Sequence, residues 1–149
     1  MNAVETAVSF FSQGFACSQA LLLAFAPRFG LDPALAARVA SPFGGGIARQ
    51  GRVCGAITGA LIVIGLHAGN ATAEDRASKE AAYEKIRTLM ARFAEAHGTT
   101  ECRHLIGYDL STPEGYAAAS EAGVFKNKCP EFVRTAATLV AELLETGTT

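Results

Sequence analysis

The residues of this chain with the most distinctive chemistry are its four cysteines, Cys17, Cys54, Cys102 and Cys129. Thiolates bind soft metals and attack disulfides, so a group of cysteines can serve metal binding or redox chemistry. No two of them form a Cys-x-x-Cys pair, the spacing of the common zinc modules. A site that uses all four must therefore be built by the tertiary fold. The simpler interpretation of each cysteine alone is a small core residue.

Each cysteine lies at the predicted start of a helix. Cys17 follows Gly-Phe-Ala, Cys54 follows a glycine-rich loop, Cys102 follows Gly-Thr-Thr, and Cys129 precedes a proline that suits a first helical turn. Free N–H groups and the helix dipole favour negative charge at such positions. We therefore expect a lowered pKa at Cys17 or Cys54 at least, unless burial and neighbouring thiolates outweigh the helix ends.

Glycines surround the second cysteine. Gly51 precedes Cys54 and Gly55 follows it, and three more glycines occupy positions 44–46. Glycine permits backbone conformations closed to other residues and close approach to a bound group, so we predict that Gly51 and Gly55 contact a cofactor. Tight helix packing is an equally good interpretation of Gly55 and of Gly59, one turn later.

Charged side chains near the cysteines are weaker signals. Arg49 and Arg52 precede Cys54 and could offset thiolate charge or contact an acidic partner, although solvated loop arginines are the simpler interpretation. His104 could be a ligand, a proton donor or a surface residue. A phosphate-binding loop is excluded because Arg52 and Val53 occupy the positions of its Lys and Ser/Thr.

The elements that must position these residues are helices. The chain has 149 residues, half of them apolar, enough for one domain with a substantial core. Asp32 and Pro33 are typical of a helix start, and Thr72 and Gly98 are predicted to bound the longest helix. We predict an all-α fold, a single compact bundle-like domain of about six to eight helices over residues 1–149. The predicted helical segments are 2–14, 17–30, 32–46, 54–67, 72–98, 113–123 and 129–145, and a brief turn or helix is predicted at 99–107.

Composition excludes several classes of function. The chain carries 13 basic and 14 acidic residues, a formal net charge of -1, so neither nucleic acid nor an anionic membrane is an expected partner. The apolar run at 56–66 is shorter than the ~20 residues that span a bilayer. The first residues lack the basic start of an export signal, and we expect a cytoplasmic protein.

The chain resembles a known family of redox-active four-cysteine proteins, named C_GCAxxG_C_C. The resemblance lies in Cys17 within GFACSQA, the core CGAITG that begins at Cys54, Cys102 within ECRHLIGYDL and Cys129 within KNKCPEFV. It covers nearly the whole chain and implies a small helical protein of redox or metal-cluster character. The cluster-bearing part of split-Soret cytochromes is similar, but this sequence lacks the Cys-x-x-Cys-His motif of their covalent haem.

Our first hypothesis is an iron–sulfur cluster, or another metal, bound by Cys17, Cys54, Cys102 and Cys129 for electron transfer or redox sensing. A metal-free thiol–disulfide oxidoreductase and a structural zinc site are the alternatives. The sequence leaves open whether the protein is an enzyme, which redox partner it meets, and whether it forms a homo-oligomer.

Overall fold

The computed structural model describes residues 1–146, and the part of the chain it describes is helical, without a strand. The predicted all-α class is therefore confirmed. Short 3-10 helices continue the second helix over Ala26–Phe29 and the third over Ser41–Phe43. The α-helices are α1 (Ala3–Ser12), α2 (Cys17–Phe25), α3 (Pro33–Ala40), α4 (Gly55–Ala68), α5 (Arg76–His97), α6 (Cys102–Ile106), α7 (Pro113–Glu121), α8 (Val124–Asn127) and α9 (Cys129–Glu145).

Local capping signals explain most helix ends. The Asp32 carboxylate accepts a hydrogen bond from the Leu35 N–H, with Pro33 as the first helical residue, as predicted. Gly98 ends α5 in the left-handed conformation at φ 86°, which is also as predicted. The start of α5 was predicted wrongly.

Asp75, and not Thr72, caps α5. The Asp75 carboxylate accepts a hydrogen bond from the Ser78 N–H, whereas the Thr72 carbonyl accepts one from the Asp75 N–H in the turn before the helix. Hydrogen bonds to Ser78 also lower the pKa of Asp75. The short helix α8 was not predicted either; it begins after Gly123, whose φ is 76°.

Helix α4 lies at the centre of the fold. It packs against α2, α5 and α9, and its apolar run is fully buried at Ala56, Val63 and Ile64, whereas Leu66 at the end of the run is exposed. The inward faces of α5 and α9 contain Leu89, Phe93 and Val140, which are fully buried. Among residues 1–146, no helix combines the length and the apolar character that crossing a bilayer requires.

Helices α2 and α4 approach closely at Gly59. A Cβ atom on Gly59 would lie 2.7 Å from the Ser18 carbonyl oxygen and 2.8 Å from Leu21 Cβ. Both contacts are shorter than packed atoms tolerate, and one is to backbone, which cannot swing away. Gly65 lies in the same helix, but a Cβ there would meet no atom within 4 Å.

These two glycines give a matched pair of substitutions with opposite expected signs. We expect Gly59→Ala to lower the free energy of unfolding by about 1–3 kcal/mol, because the methyl group overpacks the α2–α4 contact. We expect Gly65→Ala to raise it by about 0.5–1 kcal/mol through helix propensity alone. Urea denaturation followed by circular dichroism measures both. Equal effects of the two substitutions would contradict the close packing at Gly59.

Candidate functional site

The four cysteines line one cavity of about 560 Å³. Cys17, Cys102 and Cys129 are the first residues of α2, α6 and α9, and Cys54 is the N-cap of α4, so the predicted placement at helix starts is confirmed. Each thiolate is close enough to the other three for its charge to influence their pKa. Within residues 1–146, however, no three His, Cys, Asp or Glu side chains are arranged to hold a metal ion.

Close packing of α2 on α4 brings the first two cysteines together. A Cβ on Gly55 would lie 3.2 Å from the Ser18 nitrogen and 3.4 Å from Cys17 Cβ. The buried Ser18 hydroxyl donates a 2.7 Å hydrogen bond to the Ala40 carbonyl and thereby ties the start of α2 to the end of α3. Glycine at position 55 therefore lets Cys54 and Cys17 open onto the same space.

Backbone hydrogen bonds join the second and third cysteines. The Cys54 N–H donates to the Thr100 carbonyl at 2.8 Å, and the Cys102 N–H donates to the Arg52 carbonyl at 2.7 Å. Between these two hydrogen bonds, Val53 forms an isolated antiparallel β-bridge with Glu101. This pairing of two segments far apart in sequence fixes the start of α4 beside the start of α6.

The loop before Cys54 has an uncommon backbone. All residues at 45–49 have positive φ, between 47° and 70°, and three of them, Ile47, Ala48 and Arg49, are not glycine. Each non-glycine residue in this conformation costs about 1–2 kcal/mol, and such strain is typical of functional sites. The glycines of this loop were recognised in the sequence, but its left-handed non-glycine residues were not, and no sequence signal identified them.

Gly46 holds this loop against the third cysteine. A Cβ on Gly46 would lie 2.6 Å from the Arg52 nitrogen and 2.8 Å from Cys102 Cβ, and its φ is 70°. Position 46 therefore requires glycine both for its conformation and for its surroundings. The loop consequently forms one wall of the cysteine cavity.

The two predicted cofactor-contacting glycines lie in different places. Gly55 lines the cavity, whereas Gly51 does not. The φ of Gly51 is 72°, and a Cβ atom on it would lie 3.0 Å from Nε of Arg103. The contact of Gly51 with a cofactor stays a prediction. In this structure, Gly51 turns the backbone just before Cys54.

Aromatic side chains and one arginine complete the wall. Phe11, Tyr116 and Phe125 line the cavity, and the Arg49 guanidinium lies 4.3 Å from the centre of the Tyr116 ring. The aromatic wall was not predicted, because α1, α7 and α8 meet the cysteines only in three dimensions. His104 is exposed and does not line the cavity.

Burial dominates the pKa of two of the thiols. It raises the pKa of Cys54 to about 12, although the backbone N–H groups of Ala56 and Ile57 act in the opposite direction. Burial also raises the pKa of Cys102 to about 11, with the Cys129 thiolate adding to it and the Arg103 guanidinium opposing it. The helix ends stabilise thiolate here, but less than desolvation destabilises it.

The other two thiols, Cys17 and Cys129, have pKa values that are shifted in opposite directions. Hydrogen bonding with the Cys129 thiol is the largest cause that raises the pKa of Cys17 well above its usual value, and burial is the second cause. The same hydrogen bond lowers the pKa of Cys129, with help from Lys128. The expected lowering at Cys17 or Cys54 is therefore wrong. One raised and one lowered pKa are what two coupled thiols show.

The opposite pKa shifts of Cys102 and Cys129 predict that the order in which the two thiols are alkylated depends on pH. Cys102 and Cys129 are almost equally exposed, at 8% and 7%. In the reduced, metal-free protein we expect Cys129 to react faster at neutral pH, because only thiolate is nucleophilic and its pKa is lowered. Raising the pH past about 11 should ionise Cys102 and remove most of this preference. Iodoacetamide labelling with peptide mass mapping measures the two labelling rates, and faster labelling of Cys102 than of Cys129 at pH 7 would contradict the prediction.

The fold and the site together define a small all-α protein in which four cysteines open from helix starts onto one cavity. The chain belongs to the C_GCAxxG_C_C family, since the model described as "Putative redox-active protein (C_GCAxxG_C_C)" matches residues 15–143. The resemblance to this family is confirmed, and the matched segment contains every cysteine. The likeness to split-Soret cytochromes stays a prediction. No curated protein and no solved structure gives a significant match to the chain.

Proposed function

We propose that Cys17, Cys54, Cys102 and Cys129 hold an iron–sulfur cluster, through which the protein transfers electrons or senses redox state. The observation that carries this proposal is their common cavity, in which each thiolate interacts with the other three. We also propose that the protein works in the cytoplasm, where reducing conditions keep thiols free.

The arrangement of the thiols favours a cluster over a single ion. A structural zinc ion needs four sulfurs closed around one point at about 2.3 Å each, and no such convergence occurs within residues 1–146. In a cluster, different cysteines bind different iron atoms, so the ligands surround a volume. Thiols spread around a cavity of about 560 Å³ fit this second arrangement.

The surroundings of the thiols suit a buried redox group. A bound cluster supplies one-electron chemistry at a potential set by burial and by hydrogen bonds to sulfur. In this chain, the N–H groups of Ala56 and Ile57 stabilise negative charge on the Cys54 sulfur, and Arg103 does so for Cys102. The low exposure of Cys54, Cys102 and Cys129 limits access of water to the ligands.

Metal analysis after anaerobic purification tests the proposal. We expect iron and acid-labile sulfide in equal amounts, together with a broad visible absorption that decreases on reduction. Iron reconstitution of the reduced protein provides a second route, should the cluster be lost during purification. Zinc without sulfide, or protein that takes up no iron by either route, would contradict the cluster.

One observation favours a second function, metal-free thiol–disulfide exchange. The mutual interaction of the Cys17 and Cys129 thiols is the largest cause of their opposed pKa shifts, and both thiols line the same cavity. A thiolate next to a thiol can form a disulfide reversibly. Oxidation of the metal-free protein followed by peptide mapping would then recover the Cys17–Cys129 disulfide ahead of every other pairing. Equal recovery of all pairings would remove support for this alternative.

A further inference from the structure

We propose that in the metal-free protein the cysteine cavity receives a small organic anion, of the class of carboxylate-bearing disulfides and thiols, and that Arg49 recognises its carboxylate. This inference rests on metal-free thiol–disulfide exchange, the second function proposed above, because it names a substrate class for the same thiols. It concerns the part of the cavity that the cysteines themselves do not form.

The cavity has the size and wall of a ligand pocket. Its volume, about 560 Å³, lies within the range of roughly 300–1,000 Å³ usual for small-molecule sites, and such sites have apolar walls with few polar groups. A second cavity of about 480 Å³ shares Phe11 and Phe125 with it and continues towards α1 and α8. An organic molecule can therefore lie against aromatic rings while its reactive end faces the thiols.

Arg49 supplies positive charge at this wall. Among the residues described as lining the cavity, it is the one with a side chain charged at neutral pH, and no ion pair within residues 1–146 involves it. Its guanidinium lies over the Tyr116 ring, which positions the group without occupying its in-plane N–H donors. Arginine with free in-plane donors is suited to a carboxylate.

The backbone of the loop holds Arg49 in place. This residue is held at φ 66°, within the left-handed segment 45–49. The Arg49 N–H donates a 3.1 Å hydrogen bond to the Gly44 carbonyl, and this bond helps to hold the segment in its left-handed turn. The side chain of Arg49 is exposed and forms no ion pair in the described part of the chain. The turn therefore places a cation in the wall of the thiol cavity.

The chemistry of such a substrate balances without a further reagent. A protein thiolate attacks one sulfur of the ligand disulfide; the ligand S–S bond breaks, a mixed disulfide forms, and half of the ligand leaves as thiolate. Attack by a second protein thiolate on the mixed disulfide releases the other half. Two electrons pass from the protein thiols to the ligand, and a protein disulfide remains. We assign Cys17 and Cys129 to these steps, because both thiols line the cavity with Arg49 and interact with each other.

A pair of aromatic disulfides of different charge tests Arg49. The full chain, reduced and freed of metal, is mixed separately with dithiobis-nitrobenzoate, which carries a carboxylate on each ring, and with uncharged dithiodipyridine. The ratio of the two rate constants is the readout. Because both reagents require thiolate, changes in thiol pKa cancel in the ratio. We expect Arg49→Gln to lower the ratio about fivefold, by loss of one attractive charge.

Two further variants separate recognition from structure. Arg49→Lys should keep most of the ratio, because charge is retained, and Arg76→Gln at the exposed start of α5 should leave it unchanged. An unchanged ratio in Arg49→Gln, or an equal loss in Arg76→Gln, would overturn the proposal. The disulfide formed on oxidation of the metal-free protein is mapped separately on the same variants, so failure of thiol–disulfide exchange and failure of anion recognition give different results.

Discussion

Serine in place of any one of Cys17, Cys54, Cys102 or Cys129 is expected to lower the iron and sulfide content of the anaerobically purified protein by about tenfold or more. Serine is a poor ligand for soft metals, and loss of even an outer-shell partner typically costs 10–100-fold in affinity. Three of the thiols are buried, so water cannot readily replace them as ligands. The four variants should fail alike, because the proposal gives each cysteine one position around the same cluster.

A histidine near the site provides the control for these variants. His104 follows Cys102 by two residues, yet its side chain is exposed and outside the cavity, so His104→Ala should retain full iron content. Circular dichroism of each variant separates loss of ligand from loss of fold. Wild-type iron content in two or more of the serine variants would contradict a single four-cysteine cluster.

Gly46→Ala is expected to reduce cluster loading by about tenfold or more while most helical circular dichroism is retained. The new methyl group would lie 2.6 Å from the Arg52 nitrogen and 2.8 Å from Cys102 Cβ, so the loop or the cysteine must move. Displacement of a ligand by about 1 Å is enough to weaken a metal site severely. Iron and sulfide content, together with the far-ultraviolet spectrum, measure the effect.

Gly30→Ala is the matched control for Gly46→Ala. The φ of Gly30, 66°, is close to the 70° of Gly46, but a Cβ on Gly30 would meet no atom within 4 Å. Both substitutions therefore carry the cost of a left-handed alanine, about 1–2 kcal/mol, and only one adds a clash at the site. We expect normal cluster loading for Gly30→Ala. Equal loading of both variants would show that the loop does not position Cys102.

Much of the helical framework was predictable, because helix ends depend on neighbouring residues. Asp32, Pro33 and Gly98 act through hydrogen bonds and backbone angles within one turn, and each ended or began a helix as predicted. The prediction of where α5 begins was wrong for the same reason, since Thr72 and Asp75 are both good capping residues and lie three residues apart. Local preference did not choose between them.

The pKa values show where local reasoning stops. A cysteine at a helix start is expected to ionise readily, yet the pKa of Cys54 is raised to about 12. Burial depends on which helices cover the residue, and in this fold α4 is central. The lowered pKa belongs to Cys129 because Cys17, more than a hundred positions earlier, donates a hydrogen bond to it.

By itself, the sequence determined the helical class, the position of each cysteine at a helix start, and the kind of chemistry that thiols perform. These properties follow from side-chain chemistry and from interactions between residues a few positions apart. Only the tertiary structure decided that the four thiols share a cavity, that Cys17 and Cys129 shift each other's pKa, and that Arg49 lies over Tyr116. Such contacts join residues far apart in sequence, and their geometry depends on how α2, α4 and α9 pack together in one core. Close packing at Gly55 and the left-handed backbone at 45–49 then set the positions of the cavity walls to within the size of a methyl group.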